Sequence, residues 1–143
     1  MYSILLVDDE PDLLAAWHLI LSEEGYHVCR AQNGLDALGC LTQHRPDLVI
    51  TDWLMPLMNG AELCRRMRAH PDLAHVPILV HSSVLLPSDV DQVWDSCLRK
   101  PVHVPLFLTT VGKLCQRAES GANLSASCST EHADRLANRE SGA

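Results

Sequence analysis

Short apolar runs rich in β-branched residues alternate along this chain with longer segments that repeat their apolar residues at helical spacing. This alternation is typical of successive strand–helix units that build a parallel sheet covered by helices. The uninterrupted apolar run Leu48-Val49-Ile50 favours a central strand that is buried on both faces. We therefore predict an α/β fold with strands at 3–7, 27–31, 47–52, 77–81 and 97–99 and helices at 11–24, 35–44, 61–69, 87–94 and 105–117.

Length and composition indicate how the chain is divided. Its 143 residues are 47% hydrophobic and 20% charged, which favours one compact domain over two. We predict that this domain covers residues 1–118. Residues 119–143 have Leu124 and Leu136 as their only large apolar side chains, so we expect a disordered polar tail and no second folded domain.

The charge balance argues against two classes of partner. The formal net charge is −7, and no segment is rich in basic residues beyond Arg65, Arg66 and Arg68, which we interpret as the solvated face of a helix. Direct nucleic-acid binding is therefore not expected, because phosphate contacts need a clustered positive surface. No apolar run approaches the ~20 residues that span a bilayer, so no membrane association is expected.

The six cysteines are scattered and form no CxxC pair, and the N-terminus lacks the pattern of a signal peptide. Both features predict reduced thiols in a cytoplasmic protein. A zinc site is not expected from this spacing.

Polar residues follow the predicted strands where those strands end. Asp8 and Asp9 follow the first strand, Asp52 the third, Ser82 the fourth and Lys100 the fifth. In a parallel α/β sheet these positions meet at one edge, where ligands bind. Crowded carboxylates at neutral pH need either raised pKa values or a cation between them, and Mg²⁺ prefers such oxygen ligands. A hydroxyl and an ammonium at the same edge would hold phosphoryl oxygens.

Four motifs in this order resemble the response regulator receiver family of two-component signalling. They are LLVDDEP at 5–11, DLVITDWLMPLMNG at 47–60, VPILVHSS at 76–83 and RKP at 99–101. The resemblance covers residues 1–118 and is specific because the whole ordered set is present. It implies a doubly wound, flavodoxin-like, five-stranded parallel sheet with strand order 2-1-3-4-5.

The resemblance also implies a role for each acidic residue. Asp52 looks like the residue that accepts a phosphoryl group. Asp9 and Asp52 look like direct ligands of Mg²⁺, Asp8 looks like a ligand that acts mainly through water, and Leu54 would contribute its backbone carbonyl.

The remaining site residues are assigned in the same way. The resemblance implies that Lys100 neutralises phosphoryl charge and that Ser82 is the switch hydroxyl that moves toward the new phosphoryl oxygen. It also implies a cis peptide bond between Lys100 and Pro101. His81, in contrast, is interpreted as a strand-face residue rather than a ligand.

The chain departs from the family pattern before the last strand. Cys97 occupies the position where the family often has an aromatic residue, and Trp94 is a candidate substitute. The spacing from Ser82 to Lys100 is a few residues shorter than usual, so we expect a shortened or unwound fourth helix.

Two apolar residues stand where polar residues often tune dephosphorylation. These are Leu54, two positions after Asp52, and Val84, two positions after Ser82. Neither can hydrogen-bond an attacking water, so we predict a long-lived phosphorylated Asp52.

Three functions remain open at this point. In the first, a sensor histidine kinase or a histidine phosphotransfer protein donates a phosphoryl group to Asp52, and an unidentified protein target reads the result; a homodimer also stays open. In the second, the chain is a phosphorylation-independent, receiver-like scaffold. The third, an aspartate-dependent phosphatase, is disfavoured because Leu54 stands where that chemistry needs a second acid. The chain is expected to catalyse only its own phosphorylation and dephosphorylation.

Overall fold

A computed structural model describes residues 1–86 and 92–124. Five parallel strands form one sheet in the order β2-β1-β3-β4-β5, as predicted. The elements in chain order are β1 (Ser3–Val7), α1 (Pro11–Glu23), β2 (His27–Ala31), α2 (Gly34–Gln43), β3 (Leu48–Thr51), α3 (Gly60–Ala69), β4 (Ile78–Ser82), β5 (Ser96–Arg99) and α4 (Val104–Leu124).

The register of the sheet brings the strand ends together. Val7 lies opposite Thr51 in the pairing of β1 with β3, and Thr51 lies opposite Val80 in the pairing of β3 with β4. Ser82 lies opposite Arg99 in the pairing of β4 with β5. The residues that follow β1, β3 and β5 therefore emerge at the same edge as Ser82.

Each face of the sheet carries its own hydrophobic core, because alternate residues of the strands point to opposite faces. Leu48, Val49 and Ile50 of β3 are all almost completely buried, which confirms the predicted central strand. One face packs mainly against α2 and α3, with Leu41, Leu63 and Met67 in the core. The other packs against α1 and α4, with Leu14, Trp17, Leu21, Phe107 and Val111.

Local signals explain where several elements begin. The side chains of Asn33 and Asn59 cap α2 and α3 by accepting hydrogen bonds from the backbone N–H groups of Asp36 and Glu62, at 2.8 and 2.9 Å. These caps satisfy N–H groups that have no partner within the helix. Pro11 starts α1, where its missing N–H costs nothing.

The structure differs from the predictions in the β4–β5 connection and at the C-terminal end of α4. Of the helix predicted at 87–94, residues 87–91 lie outside the described residues, and 92–94 are not helical. The closing helix runs to Leu124 instead of ending at 117. Residues 119–124, predicted as the start of the tail, thus continue α4, and 125–143 lie outside the described residues.

The interpretation of three arginines as a solvated helix face is correct for two of them. Arg65 and Arg66 are exposed and both pair with Glu62. It is wrong for Arg68, which is only 24% exposed and donates to Asp95 Oδ2 at 2.7 Å. Its long side chain also reaches the backbone carbonyls of Ala74, Val76 and Val93.

Two further expectations concern the cysteines and membrane-spanning helices. The five cysteines within the described residues all have free thiols. In the same part of the chain, no helix combines the length and the apolar character needed to cross a bilayer.

Candidate functional site

The centre of the site is a lysine shared between two buried carboxylates. Lys100 Nζ lies 3.0 Å from Asp8 Oδ2 and 3.2 Å from Asp52 Oδ2. Asp8 and Asp52 are 5% and 7% exposed, and the Lys100 side chain is 10% exposed. Such charges are tolerated in a buried site because they are paired and hydrogen-bonded.

Backbone N–H groups hold the second oxygen of each carboxylate. Asp52 Oδ1 accepts a hydrogen bond from the N–H of Trp53 at 2.7 Å, and Asp8 Oδ1 accepts one from the N–H of Glu10 at 2.9 Å. Both aspartates follow strands whose backbones are fixed by the sheet. The two carboxylates are thus oriented before any ligand binds.

The loop after β3 folds tightly against Asp52. A Cβ added at Gly60 would collide with the backbone carbonyl of Asp52, and the Gly60 N–H donates to the carbonyl of Trp53 at 2.8 Å. Only glycine allows this approach. Met58 of the same loop is buried in the α2/α3 face of the core, and Met55 and Trp53 pack against that core, so these three residues hold the loop in place.

A third carboxylate joins the pair. Oxygens of Asp8, Glu10 and Asp52 lie within 4.8 Å of one another, and Glu10 Oε1 is 3.8 Å from Lys100 Nζ. Asp9 is exposed and is not in this group. Sequence reasoning passed over Glu10, although its place between the Asp8-Asp9 pair and Pro11 was a usable signal. An all-oxygen donor set of this kind is compatible with Mg²⁺.

Ser82 and Leu54 lie at the same edge of the sheet in different environments. Ser82 is 1% exposed, its carbonyl accepts a hydrogen bond from the Lys100 N–H at 2.8 Å, and its Oγ accepts one from the Val84 N–H at 3.2 Å. The Leu54 side chain is 57% exposed in the loop after β3. The peptide bond between Lys100 and Pro101 is cis, as predicted.

The charges of the site shift the pKa values of its groups. Burial raises the pKa of Asp52, and the nearby Asp8 adds to this, whereas Lys100 and the Trp53 N–H partly offset it. Burial alone would lower the pKa of Lys100, but its hydrogen bond to Asp8 and the charges of Asp8 and Asp52 raise it overall. Lys100 is therefore a permanent cation in the pocket, and a bound divalent ion would favour the charged form of Asp52 as well.

His81 is buried beside the site without belonging to the acidic group. Its ring makes edge contacts with Trp17 and Phe107, whose rings stack at 3.8 Å. The strand-face interpretation is confirmed. Its Nε2 atom has no hydrogen-bond partner within the described part of the chain.

Comparison with known proteins identifies the family of this chain. Residues 4–111 match the family model described as the response regulator receiver domain. The polar-differentiation response regulator DivK of Brucella anthropi is 26% identical in an alignment of 113 residues, which covers 76% of this chain and 92% of DivK.

Two solved structures are similar throughout the fold. The receiver domain of a signal transduction histidine kinase from Syntrophus aciditrophicus has a TM-score of 0.75 and 33% identity, covering 81% of this chain and 91% of that one. Response regulator TrrA from Thermotoga maritima, solved in complex with Mg(2+)-BeF, has a TM-score of 0.73 and 31% identity, covering 80% and 99%. The chain therefore belongs to the response regulator receiver domain family, whose members act as signalling modules in two-component systems.

Proposed function

We propose that this receiver domain accepts a phosphoryl group on Asp52 from a sensor histidine kinase or a histidine phosphotransfer protein. The observation that carries the proposal is the ammonium of Lys100, held between Asp8 and Asp52 in a largely buried pocket. A buried cation beside a carboxylate nucleophile is suited to the negative charge of a transferring phosphoryl group.

In the proposed reaction, a carboxylate oxygen of Asp52 attacks the phosphorus of a phosphohistidine. The bond between phosphorus and the imidazole nitrogen breaks, and an acyl phosphate forms on Asp52. The Trp53 N–H keeps the carboxylate in a fixed orientation during the attack, because it holds Oδ1 at 2.7 Å. Lys100 is already within 3.2 Å of the other oxygen and balances the charge that arrives.

The residues suited to hold Mg²⁺ are Asp8, Asp9 and Asp52 together with the backbone carbonyl of Leu54. Bound there, Mg²⁺ would supply positive charge to the phosphoryl oxygens. The crowding of Asp8, Glu10 and Asp52 around one lysine supports a cation site here, because Lys100 alone leaves the pocket with net negative charge. Asp9 is exposed and outside this group, so its part in the site rests on the family resemblance. The TrrA complex with Mg(2+)-BeF gives a precedent within the family.

Ser82 is proposed as the hydroxyl that responds to the new phosphoryl group. It stands at the end of β4, and its backbone carbonyl accepts a hydrogen bond from the Lys100 N–H. A movement of either residue would therefore displace the other. The rearranged surface would then bind an unidentified protein target.

The test is incubation with a small phosphoramidate donor and Mg²⁺, followed by intact-mass measurement. We expect the wild type to gain one phosphoryl group, Asp52→Asn to gain none, and Asp72→Asn to react like the wild type. Asp72 is a suitable control because it is exposed in the turn before β4, at the opposite edge of the sheet. A wild type that is not modified would favour the phosphorylation-independent scaffold, and steady release of phosphate from an external phosphomonoester would favour the phosphatase.

A further inference from the structure

The loop that carries Asp52 touches the β4–β5 connection through two tryptophans. The rings of Trp53 and Trp94 have centroids 5.3 Å apart and planes at 80°, an edge-to-face contact. Both rings are half-buried against the α2/α3 face of the core. Such contacts have a preferred geometry, so a movement of one ring is resisted by the other.

Trp53 is also bonded directly to the proposed phosphoacceptor. Its backbone N–H donates to Asp52 Oδ1 at 2.7 Å, so the charge and position of that oxygen bear on the conformation of Trp53. A phosphoryl group on Asp52 changes both.

The residues on either side of Trp94 are firmly anchored. Arg68 donates to the carbonyl of Val93 at 2.9 Å and to Asp95 Oδ2 at 2.7 Å. Asp95 is further fixed to β4, since its Oδ2 accepts from the Ile78 N–H at 2.8 Å and its own N–H donates to the Ile78 carbonyl at 2.9 Å. With its neighbours fixed in this way, Trp94 responds to Trp53 mainly through its side chain.

Cys97 cannot provide an equivalent link. It stands on β5 with an exposed side chain and has no aromatic ring that could pack against Trp53. Among the described residues of the connection, Trp94 supplies the aromatic contact with the Asp52 loop.

We propose that Trp94 is a positioning residue for the Asp52 loop and that its contact with Trp53 transmits the state of Asp52 to the β4–β5 connection. This inference rests on the proposed phosphoacceptor function. Trp94 acts through Trp53 and does not itself touch the reacting atoms.

The test uses fluorine-labelled tryptophan, because the chain has only three tryptophans and each can be assigned by substitution. Beryllofluoride with Mg²⁺ mimics the phosphoryl group, and the same fluorine spectrum reports its binding. We expect the Trp94 signal to shift when beryllofluoride binds the wild type and to stay in place in Asp52→Asn.

Three variants then locate the route of the signal. Trp53→Leu keeps the backbone N–H that holds Asp52 Oδ1, and at saturating beryllofluoride it should lose at least half of the Trp94 shift. Trp53→Phe, which can keep an edge contact, should retain most of that shift. Trp17→Phe is the matched control, since Trp17 packs on the other face of the sheet, and it should leave the Trp94 shift unchanged.

The possible failures are distinct. Absence of beryllofluoride binding in the wild type would overturn the proposed function and this inference with it. Binding with an unmoved Trp94 signal, or a full Trp94 shift in Trp53→Leu, would overturn this inference alone. If Trp53→Leu does not fold, Trp94→Leu provides the second test. This variant should alter the change that beryllofluoride induces in the Trp53 signal, whereas Trp94→Phe should preserve that change.

Discussion

His81 should make the stability of this domain strongly dependent on pH. Burial lowers its pKa to about 4 from the ordinary 6.5, with the charge of Lys100 adding to the effect and Asp8 opposing it. His81 is 4% exposed, and protonation would place a charge against the stacked rings of Trp17 and Phe107.

The sign and size of the effect follow from proton linkage. The unfolded chain binds a proton on His81 below about pH 6.5, whereas the folded chain does so only near pH 4. The folded state therefore has its full stability above the unfolded pKa and loses it as the pH falls. The loss works out at roughly 2–3 kcal/mol by pH 4.5 and levels off at roughly 3–4 kcal/mol well below pH 4.

Urea unfolding without Mg²⁺ at pH 7.5 and pH 4.5 tests this, with His81→Leu as the comparison. The variant keeps an apolar contact with Trp17 and Phe107 but cannot titrate, so the difference between the two proteins isolates His81 from the other titrating groups. We expect the free energy of unfolding of the variant to gain on that of the wild type by roughly 2–3 kcal/mol between pH 7.5 and pH 4.5. An NMR titration of His81 with a midpoint above pH 6, or a constant difference between the proteins, would refute the reasoning.

Three other predictions concern the site. Gly60→Ala should destabilise the domain by roughly 1–3 kcal/mol in urea unfolding, because the added Cβ would collide with the Asp52 carbonyl. Gly39→Ala, which has open space around it in α2, should be neutral or stabilising, and equal effects of the two substitutions would contradict the packing argument. Glu10→Gln should weaken Mg²⁺ binding by roughly three- to ten-fold in calorimetric titration, since it removes one charge from the acidic group, and unchanged affinity would exclude Glu10 from the site. Leu54→Asn should speed the decay of phosphorylated Asp52 by about an order of magnitude, measured by intact mass over time, because it gives an attacking water a hydrogen-bond partner; an unchanged rate would count against shielding by Leu54.

The sheet was predictable because its signals are local. The apolar run Leu48-Val49-Ile50 indicates a buried strand without any information about its neighbours. The helix caps Asn33 and Asn59 are local signals of the same kind for α2 and α3. The length of α4 was not predictable in the same way, because residues 119–124 have few apolar side chains and continue a helix that is stabilised earlier, at Phe107 and Val111.

Long-range contacts account for what sequence reasoning missed. Arg68 looked like its exposed neighbours, and only the fold brings it to Asp95, 27 residues away. Glu10 was passed over although it directly follows Asp8 and Asp9, and the fold brings its carboxylate close to those of Asp8 and Asp52 and to Lys100. The position of Lys100 at this edge of the sheet was predicted, because the order of the strands alone places a residue that follows β5 there.

The most direct test of the account is to identify the residue that carries the phosphoryl group. Borohydride reduction of the phosphorylated protein converts an acyl phosphate on aspartate into homoserine, which peptide mass spectrometry locates. The account predicts homoserine at position 52 and loss of the modification when Lys100 is replaced by methionine or Mg²⁺ is removed. Homoserine at another aspartate, or a modified histidine with an intact Asp52, would contradict it.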